Sequence, residues 1–295
     1  MASEWTDAIA RARENAPFLA RSLDRLPDLA DLLAQGDLDA AFEYAAKAGE
    51  GAETGVALRR ERLALALTLA IGDLCGVLTL DDVMRRLSSF ADIALDRAIA
   101  EAARSRTTLE SVDGFFAVAL GKHGASELNY SSDIDPILLF DPDVLASGPR
   151  SGPAETAQRM ARDIVRLLAD HTEEGYVFRV DLRLRPAAEI TPLAVSVNAA
   201  ATHYESAALA WERAAFIRAR SAAGDVVRGE NFLASIRPFV WRRSVDFGAI
   251  DDIAQLRLRI REAYGGEPVL GPGFDLKRGR GGIREIEFFA QTHQL

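Results

Sequence analysis

The stretch that decides the fold lies at residues 121–135 and reads Gly121-Lys122-His123-Gly124-Ala125-Ser126-Glu127-Leu128-Asn129-Tyr130-Ser131-Ser132-Asp133-Ile134-Asp135. It places a glycine-rich turn, a pair of serines and two carboxylates between segments that have the composition of β-strands. Side chains two positions apart on a strand point to the same face, roughly 7 Å apart. Two carboxylates held that close repel each other unless a cation lies between them. Asp133 and Asp135 are therefore predicted to bind a divalent metal ion.

The segments on both sides of this stretch predict a small sheet. Residues 115–120 are continuously apolar, as expected of a strand that is covered on both faces. A second strand is predicted from Asp133 to Phe140, and residues 154–169 have the period of a helix. A third strand is predicted from Tyr176 to Arg185, where apolar and charged residues alternate. Its polar face carries Asp181, which would add a third carboxylate to the pair.

Three carboxylates around one point indicate Mg²⁺, which prefers oxygen ligands and usually retains waters or substrate phosphates. Such ions can stabilise the attacking and leaving oxygens of a displacement at phosphorus. Glycines let backbone N–H groups approach phosphate oxygens, and serine hydroxyls add donors. Ordinary acids at a solvated strand end are the alternative. The residues of this stretch predicted to bind a nucleotide or phosphate are Gly121, Lys122, Gly124, Asn129, Ser131 and Ser132, of which Lys122 and Asn129 fit a surface role equally well.

The rest of the chain predicts an α+β protein in three regions. Residues 1–110 are expected to be helical, residues 111–190 to form a mixed-sheet core, and residues 191–295 to be helical again. In the last region helices are predicted at 208–220 and 251–264, with Asn198 as the N-cap of an earlier one. A further helix starts at residue 283 and has no stop signal before the last residue, so the chain is expected to be part of a longer one.

Composition excludes several classes of protein. A formal net charge of -9 argues against nucleic acid as a partner, because a phosphate backbone demands a basic face. The single cysteine, Cys75, excludes an internal disulfide framework. Residues 1–5 lack the features of a signal peptide, and the longest apolar run, Leu63–Ile71, is too short to span a bilayer. A cytoplasmic protein without a membrane partner is therefore expected.

Four motifs, in order along the chain from about residue 113 to the end, carry a family resemblance. The first resembles the signature of glutamine synthetase adenylyltransferases, which are also called glutamate-ammonia-ligase adenylyltransferases. This family belongs to the polymerase-β-like nucleotidyltransferase superfamily, and the resemblance implies that fold for the core, with helical regions on either side. The motifs occupy residues 121–135, 179–186, 211–225 and 277–288.

The resemblance also implies an activity. Members of the family carry two related catalytic halves, one that removes AMP from a tyrosine of glutamine synthetase and one that attaches it. With a start methionine and a helical lead-in ahead of its motifs, this chain resembles the N-terminal, adenylyl-removing half. The implied reaction is Mg²⁺-dependent phosphorolysis of adenylyl-tyrosine to ADP. Forward transfer of AMP from ATP, another nucleotidyltransferase reaction, and a catalytically silent docking fragment are the alternatives.

The implied partners are adenylylated glutamine synthetase, inorganic phosphate, ADP or ATP, and a PII-type signal protein. Four basic residues are candidates to hold phosphate or the nucleotide, because cationic side chains match phosphate oxygens. They are Arg183, Arg185, Lys277 and Arg284, each of which fits a scaffold role equally well. Pro136 departs from the family's usual leucine. A proline has no N–H for a sheet ladder, so this position is expected to be unpaired in that direction.

Overall fold

The computed structural model describes residues 2–107, 111–148, 151–241 and 271–294, together with the isolated residues 248, 255 and 258. Of the helix predicted at 251–264, only residues 255 and 258 are described. Among the described residues, no helix has both the length and the apolar character needed to cross a membrane. The region before the sheet is helical, as predicted, and consists of α1 (Ala2–Asn15), α2 (Pro17–Arg25), α3 (Pro27–Gln35), α4 (Leu38–Lys47), α5 (Thr54–Leu74) and α6 (Leu80–Arg106).

Helix α6 is long and packs against the sheet. Its N-cap is Thr79, whose hydroxyl accepts a hydrogen bond from the backbone N–H of Asp82, while the Asp82 carboxylate accepts one from the backbone N–H of Thr79. This capping box satisfies two donors that the first turn leaves free. The apolar stripe that follows, represented by Val83 and Leu87, is buried in the core.

A four-stranded mixed sheet forms the centre of the molecule, in the order β3-β2-β1-β4. Strand β1 pairs antiparallel with β2 and with β4, and β2 pairs parallel with β3. Every residue of β1 is buried, which confirms the prediction of a strand covered on both faces. The strands are β1 (Phe115–Leu120), β2 (Asp135–Phe140), β3 (Ala194–Ser196) and β4 (Arg220–Gly224).

Helices cover both faces of this sheet. One core joins α6 and α8 to side chains such as Phe115 and Leu138, and a second core joins α9 and α11 to side chains such as Phe116 and Val118. A third core holds helices α1 to α5 together. The remaining helices are α7 (Gly121–Gly124), α8 (Pro153–Ala169), α9 (Val197–Ser206), α10 (Ala210–Phe216), α11 (Val226–Ser235), α12 (Arg237–Val240) and α13 (Ile283–Gln294).

The predicted third strand at 176–185 is wrong. Only Val180 pairs, in an isolated parallel bridge to Ile134. The chain turns immediately afterwards because the Asp181 carboxylate accepts a hydrogen bond from the backbone N–H of Arg183, a local turn that competes with a ladder. The alternation of apolar and charged residues correctly predicted that Leu182 is buried and Arg183 is exposed.

Two strands, β3 and β4, lie beyond residue 190, in the region that was predicted to be helical. Strand β3 has three residues and is too short to show a period, and β4 contains no β-branched or aromatic residue. The helix predicted at 208–220 ends at Phe216, and the chain enters strand β4 at Arg220. The N-cap of α9 is Ser196, whose hydroxyl accepts from the N–H of Ala199, and not Asn198.

We expect replacement of the α6 N-cap, Thr79→Ala, to lower the free energy of unfolding by about 1 kcal/mol, because the backbone N–H of Asp82 loses the hydroxyl that accepts its hydrogen bond. Urea denaturation followed by circular dichroism measures this. The control is Thr202→Ala, an exposed threonine inside α9, which should change stability by less than about 0.5 kcal/mol. Equal effects of the two substitutions would contradict the capping role.

Candidate metal and nucleotide site

Three carboxylates meet at one edge of the sheet. Asp133 lies just before β2, Asp135 is the first residue of β2, and Asp181 lies on the segment that follows α8. One carboxylate oxygen from each residue lies within 4.8 Å of the others. The predicted convergence of these three side chains is therefore found in the structure. Asp133 is exposed and the other two are partly buried, so that the cluster is open to solvent on one side.

The bridge between Ile134 and Val180 brings these acids together. The N–H of Ile134 donates to the carbonyl of Arg179 at 3.0 Å, and the N–H of Asp181 donates to the carbonyl of Ile134 at 2.9 Å. Ile134, the residue between Asp133 and Asp135, is fully buried. Since its neighbours point away from the core, the two backbone hydrogen bonds fix Asp181 beside both of them.

Pro136 lies where β2 changes partner. The bridge to Val180 is at Ile134, and the ladder to β3 begins at Leu138. Pro136 falls between these two points, so its missing N–H interrupts neither. On the other edge of β2, Pro136 is the register partner of Ala119 in the ladder with β1. Both aspartates keep their places in the cluster.

The electrostatics of the cluster are those of a cation site. Burial above all, and then the neighbouring carboxylates of Asp133 and Asp181, raise the pKa of Asp135 to about 7, against the opposing charges of Lys277 and Arg183. Hydrogen bonds from Arg183 lower the pKa of Asp181. A divalent cation relieves both the burial and the repulsion at Asp135.

The glycine-rich turn closes one side of the site. Gly121 has a φ of +56°, and a Cβ placed on it would lie 2.7 Å from Oδ2 of Asp135. A side chain at residue 121 would therefore displace the carboxylate of Asp135, which is a candidate metal ligand. Gly124 has a different reason to be glycine, because a Cβ there would lie 2.2 Å from the carbonyl oxygen of Arg218. The turn is packed against that backbone.

The serine-bearing loop is held by its own hydrogen bonds. The Ser132 hydroxyl accepts from the N–H of Asn129 and donates to its Oδ1 at 2.9 Å. Ser131 and Lys122 are exposed. Ser132 and Asn129 thus shape the loop that leads into Asp133, and Ser131 and Lys122 are accessible to a ligand.

The four basic candidates differ in their surroundings. Arg183 is exposed and is ion-paired with Asp181, and Lys277 is exposed with its charge near Asp135. Arg185 donates to the carbonyls of Leu182, Ala188, Thr191 and Pro192, so that its guanidinium holds the loop after the bridge. Arg284 lies in the first turn of α13 and is partly buried. Of these four residues, Arg183 and Lys277 are the two whose charges act on Asp135.

The sequence did not predict the contacts that hold the glycine-rich turn in place. His123 is fully buried, and its Nε2 lies 2.7 Å from the Asp92 carboxylate on α6. Arg220 donates to the same carboxylate and to the carbonyl of His123. This network ties the turn to α6 and β4, and it keeps the His123 side chain inside the protein, away from any substrate. The sequence signal that could have indicated this network is Asp92, an acidic residue within the apolar stripe of α6.

The donor set fits Mg²⁺. All three carboxylates supply hard oxygen ligands, and the solvent-exposed side leaves room for waters or phosphate oxygens, as this ion requires. Among the residues that the structure describes, this is the one group of three or more acidic, histidine or cysteine side chains that meets the geometric requirement for holding a metal.

The acidic triad lies at the edge of a mixed sheet, beside a glycine turn, and comparison with known proteins identifies the family of the chain. The model of the family described as "Glutamate-ammonia ligase adenylyltransferase" matches residues 6–235. The chain belongs to this family. A second model, described as "GlnD PII-uridylyltransferase", matches residues 254–295.

Curated relatives are each named "Bifunctional glutamine synthetase adenylyltransferase/adenylyl-removing enzyme". The protein from Caulobacter vibrioides is 48% identical over 81% of this chain and 25% of its own length. The proteins from Bradyrhizobium sp. and Mesorhizobium japonicum are 41% and 38% identical, over 100% and 98% of this chain and 32% and 31% of theirs. The chain thus spans about a quarter to a third of the length of these relatives.

We expect Gly121→Ala to weaken Mg²⁺ binding at least about tenfold, because the new Cβ would push Asp135 out of the cluster. Isothermal titration calorimetry measures this. The matched control is Gly51→Ala, a glycine with a similar φ of +77° and no atom within 4 Å of its added Cβ. Any loss shared by both variants reflects backbone strain, and equal metal affinity in both would contradict the packing of Gly121 on Asp135.

The raised pKa of Asp135 predicts a cost to stability. A carboxyl whose pKa is higher in the folded state than the ordinary 3.8 binds more protons when folded, so stability falls as pH rises from about 4 to 7. We therefore expect metal-free Asp135→Asn to melt at least about 2 °C above the wild type at pH 8, with a smaller difference at pH 5. Differential scanning calorimetry in EDTA measures both. Asp143→Asn, an exposed acid, should change neither value.

Proposed function

We propose that this chain is an adenylyl-removing unit that acts on adenylylated glutamine synthetase, with a polymerase-β-like core at 111–190 that extends to β3 and β4. The observation that carries the proposal is the convergence of Asp133, Asp135 and Asp181 within 4.8 Å beside the turn at Gly121. The direction, removal of AMP, rests on the resemblance of the sequence to the adenylyl-removing half of the family.

The reaction is an in-line displacement at the phosphorus of adenylyl-tyrosine. An oxygen of inorganic phosphate forms a new P–O bond, the bond between phosphorus and the tyrosine oxygen breaks, and the products are ADP and tyrosine. Asp133, Asp135 and Asp181 would hold Mg²⁺, which offsets negative charge on the transferring group when it is bound. No covalent intermediate with the protein is required.

The protein's own residues bring two anions together. Inorganic phosphate and the AMP phosphoryl group repel each other, and the triad adds negative charge. Arg183 and Lys277, the exposed cations nearest to the triad, would lower that repulsion. Ser131 is exposed two residues before Asp133, and its hydroxyl would donate to a phosphate oxygen.

Regulation by a PII-type signal protein is part of the proposal. It is supported by the match of residues 254–295 to a family whose description names PII.

The decisive experiment uses the full chain with adenylylated glutamine synthetase, Mg²⁺ and ³²P-labelled inorganic phosphate. Label appearing in ADP supports removal of AMP. A parallel reaction with unmodified synthetase and α-labelled ATP tests the forward direction, and label on the synthetase there, with none in ADP in the first reaction, overturns the proposed direction. Absence of label in both reactions indicates a silent docking fragment.

We expect Asp133→Asn to lower the phosphorolysis rate at least about 100-fold, because the variant loses one charged ligand from the cation site. The rate of labelled ADP formation measures this. Circular dichroism should show an unchanged fold, since Asp133 is exposed. Asp143→Asn, an exposed acid beyond the far end of β2, is the control and should retain the wild-type rate. Wild-type rates in Asp133→Asn would contradict the metal assignment.

A further inference from the structure

Two segments of the chain, 129–135 and 176–181, carry the three carboxylates, and little backbone pairing joins them. Among the described residues they share one isolated bridge, between Ile134 and Val180, with two backbone hydrogen bonds. A hydrogen bond contributes a net stabilisation on the order of 1 kcal/mol. The carboxylates on the two segments repel each other. The separation of the two segments therefore depends on further contacts between them.

Arg62 on helix α5 contacts both segments at equivalent positions. Its Nη2 donates to the carbonyl of Tyr130 at 2.7 Å, and its guanidinium carbon lies 5.3 Å from the centre of the Phe178 ring. Tyr130 is three residues before Asp133, and Phe178 is three residues before Asp181. A guanidinium group over the face of an aromatic ring is attracted to that ring. One side chain thus links the two segments just before each of them reaches its carboxylates.

The groups that Arg62 contacts are themselves held in place. Phe90 of α6 lies 6.0 Å from Phe178, measured between ring centres, and both rings are buried in the core. The Tyr130 hydroxyl donates to Asp73, which is also on α5. Burial lowers the pKa of Arg62, so the protein holds this charge in place at a cost in free energy. Arg62 therefore lies between a fixed ring and a tethered loop.

Arg179 joins the same two segments by a second route. Its Nη2 donates to the carbonyl of Ser131, and its own carbonyl accepts from the N–H of Ile134. The Arg179 side chain is exposed. Together with Arg62, it binds two successive carbonyls of the loop that leads to Asp133.

We propose that Arg62 and Arg179 are positioning residues that set the separation of the two segments, and with it the size of the cation that the carboxylates accept. This inference rests on the proposed cation site. Mg²⁺ needs near-octahedral geometry with ligands at about 2.1 Å, whereas Ca²⁺ accepts irregular geometry with ligands at about 2.3–2.6 Å. Loss of either arginine lets the repelling segments move apart, and this change weakens the binding of Mg²⁺ more than that of Ca²⁺.

Metal binding tests the proposal without the phosphorolysis reaction. Isothermal titration calorimetry of the full chain with Mg²⁺ and with Ca²⁺ gives the ratio of the two dissociation constants. We expect Arg62→Met and Arg179→Met each to weaken Mg²⁺ binding at least about fivefold and Ca²⁺ binding less than about twofold. A general loss of structure would weaken both alike, so the ratio separates positioning from stability.

Arg97→Met is the matched control. It removes an arginine of α6 that pairs at 2.7 Å with Glu61, the residue before Arg62 on α5, and it should keep the wild-type ratio. Since Arg179 is exposed, Arg179→Met is expected to fold even if Arg62→Met does not. A wild-type ratio in either of the two test variants, once circular dichroism shows that it is folded, overturns the proposal. An equal change of the ratio in Arg97→Met also overturns it.

Failure of the proposed function gives a different pattern. If the wild type binds neither ion, or if Asp133→Asn binds Mg²⁺ as tightly as the wild type, the proposed cation site is wrong, and the inference drawn from it is wrong as well. If Asp133→Asn loses Mg²⁺ while Arg62→Met and Arg179→Met keep the wild-type ratio, the site stands and the positioning role is wrong.

Discussion

The site depends on two backbone hydrogen bonds, between Ile134 and the residues on either side of Val180. They join segments that are about 45 positions apart and that repel each other, because each ends in a carboxylate that belongs to the cluster. The buried side chain of Ile134 holds the bridge in the core. Apolar burial and backbone pairing therefore maintain an arrangement that electrostatics alone opposes.

The support beneath the bridge explains why the cluster can persist. Helix α6 lies under the sheet, its Asp92 binds both His123 and Arg220, and the glycine turn is thereby fixed to the core. Gly121 lets Asp135 approach the turn closely. Asp135 is thus held at the start of β2 against the fixed turn, and Arg183 and Lys277 are exposed side chains whose charges act on it.

The helical region is joined to the site physically as well as by sequence. Arg59 on α5 binds carbonyls of the segment between α8 and the bridge, and Arg62 binds the carbonyl of Tyr130 in the loop before Asp133. Both contacts join the helical region directly to the sheet core. The helical region can therefore influence the geometry of the acidic cluster, through neutral carbonyls in an environment of low polarity.

The sequence alone determined the features that arise locally. The spacing of Asp133 and Asp135, the fully buried strand at 115–120, the cap at Thr79 and the helices at 153–169 and 283–294 each follow from periodicity or a short motif. The tertiary structure decided the rest. Residues 176–185 alternate like a strand but form one bridge only, β3 and β4 lie in a region with helical composition, and Arg185 binds loop carbonyls. Burial and hydrogen bonds between distant segments set these outcomes, and burial also raises the pKa of Asp135. The spacing of neighbouring residues encodes neither the burial nor the hydrogen bonds.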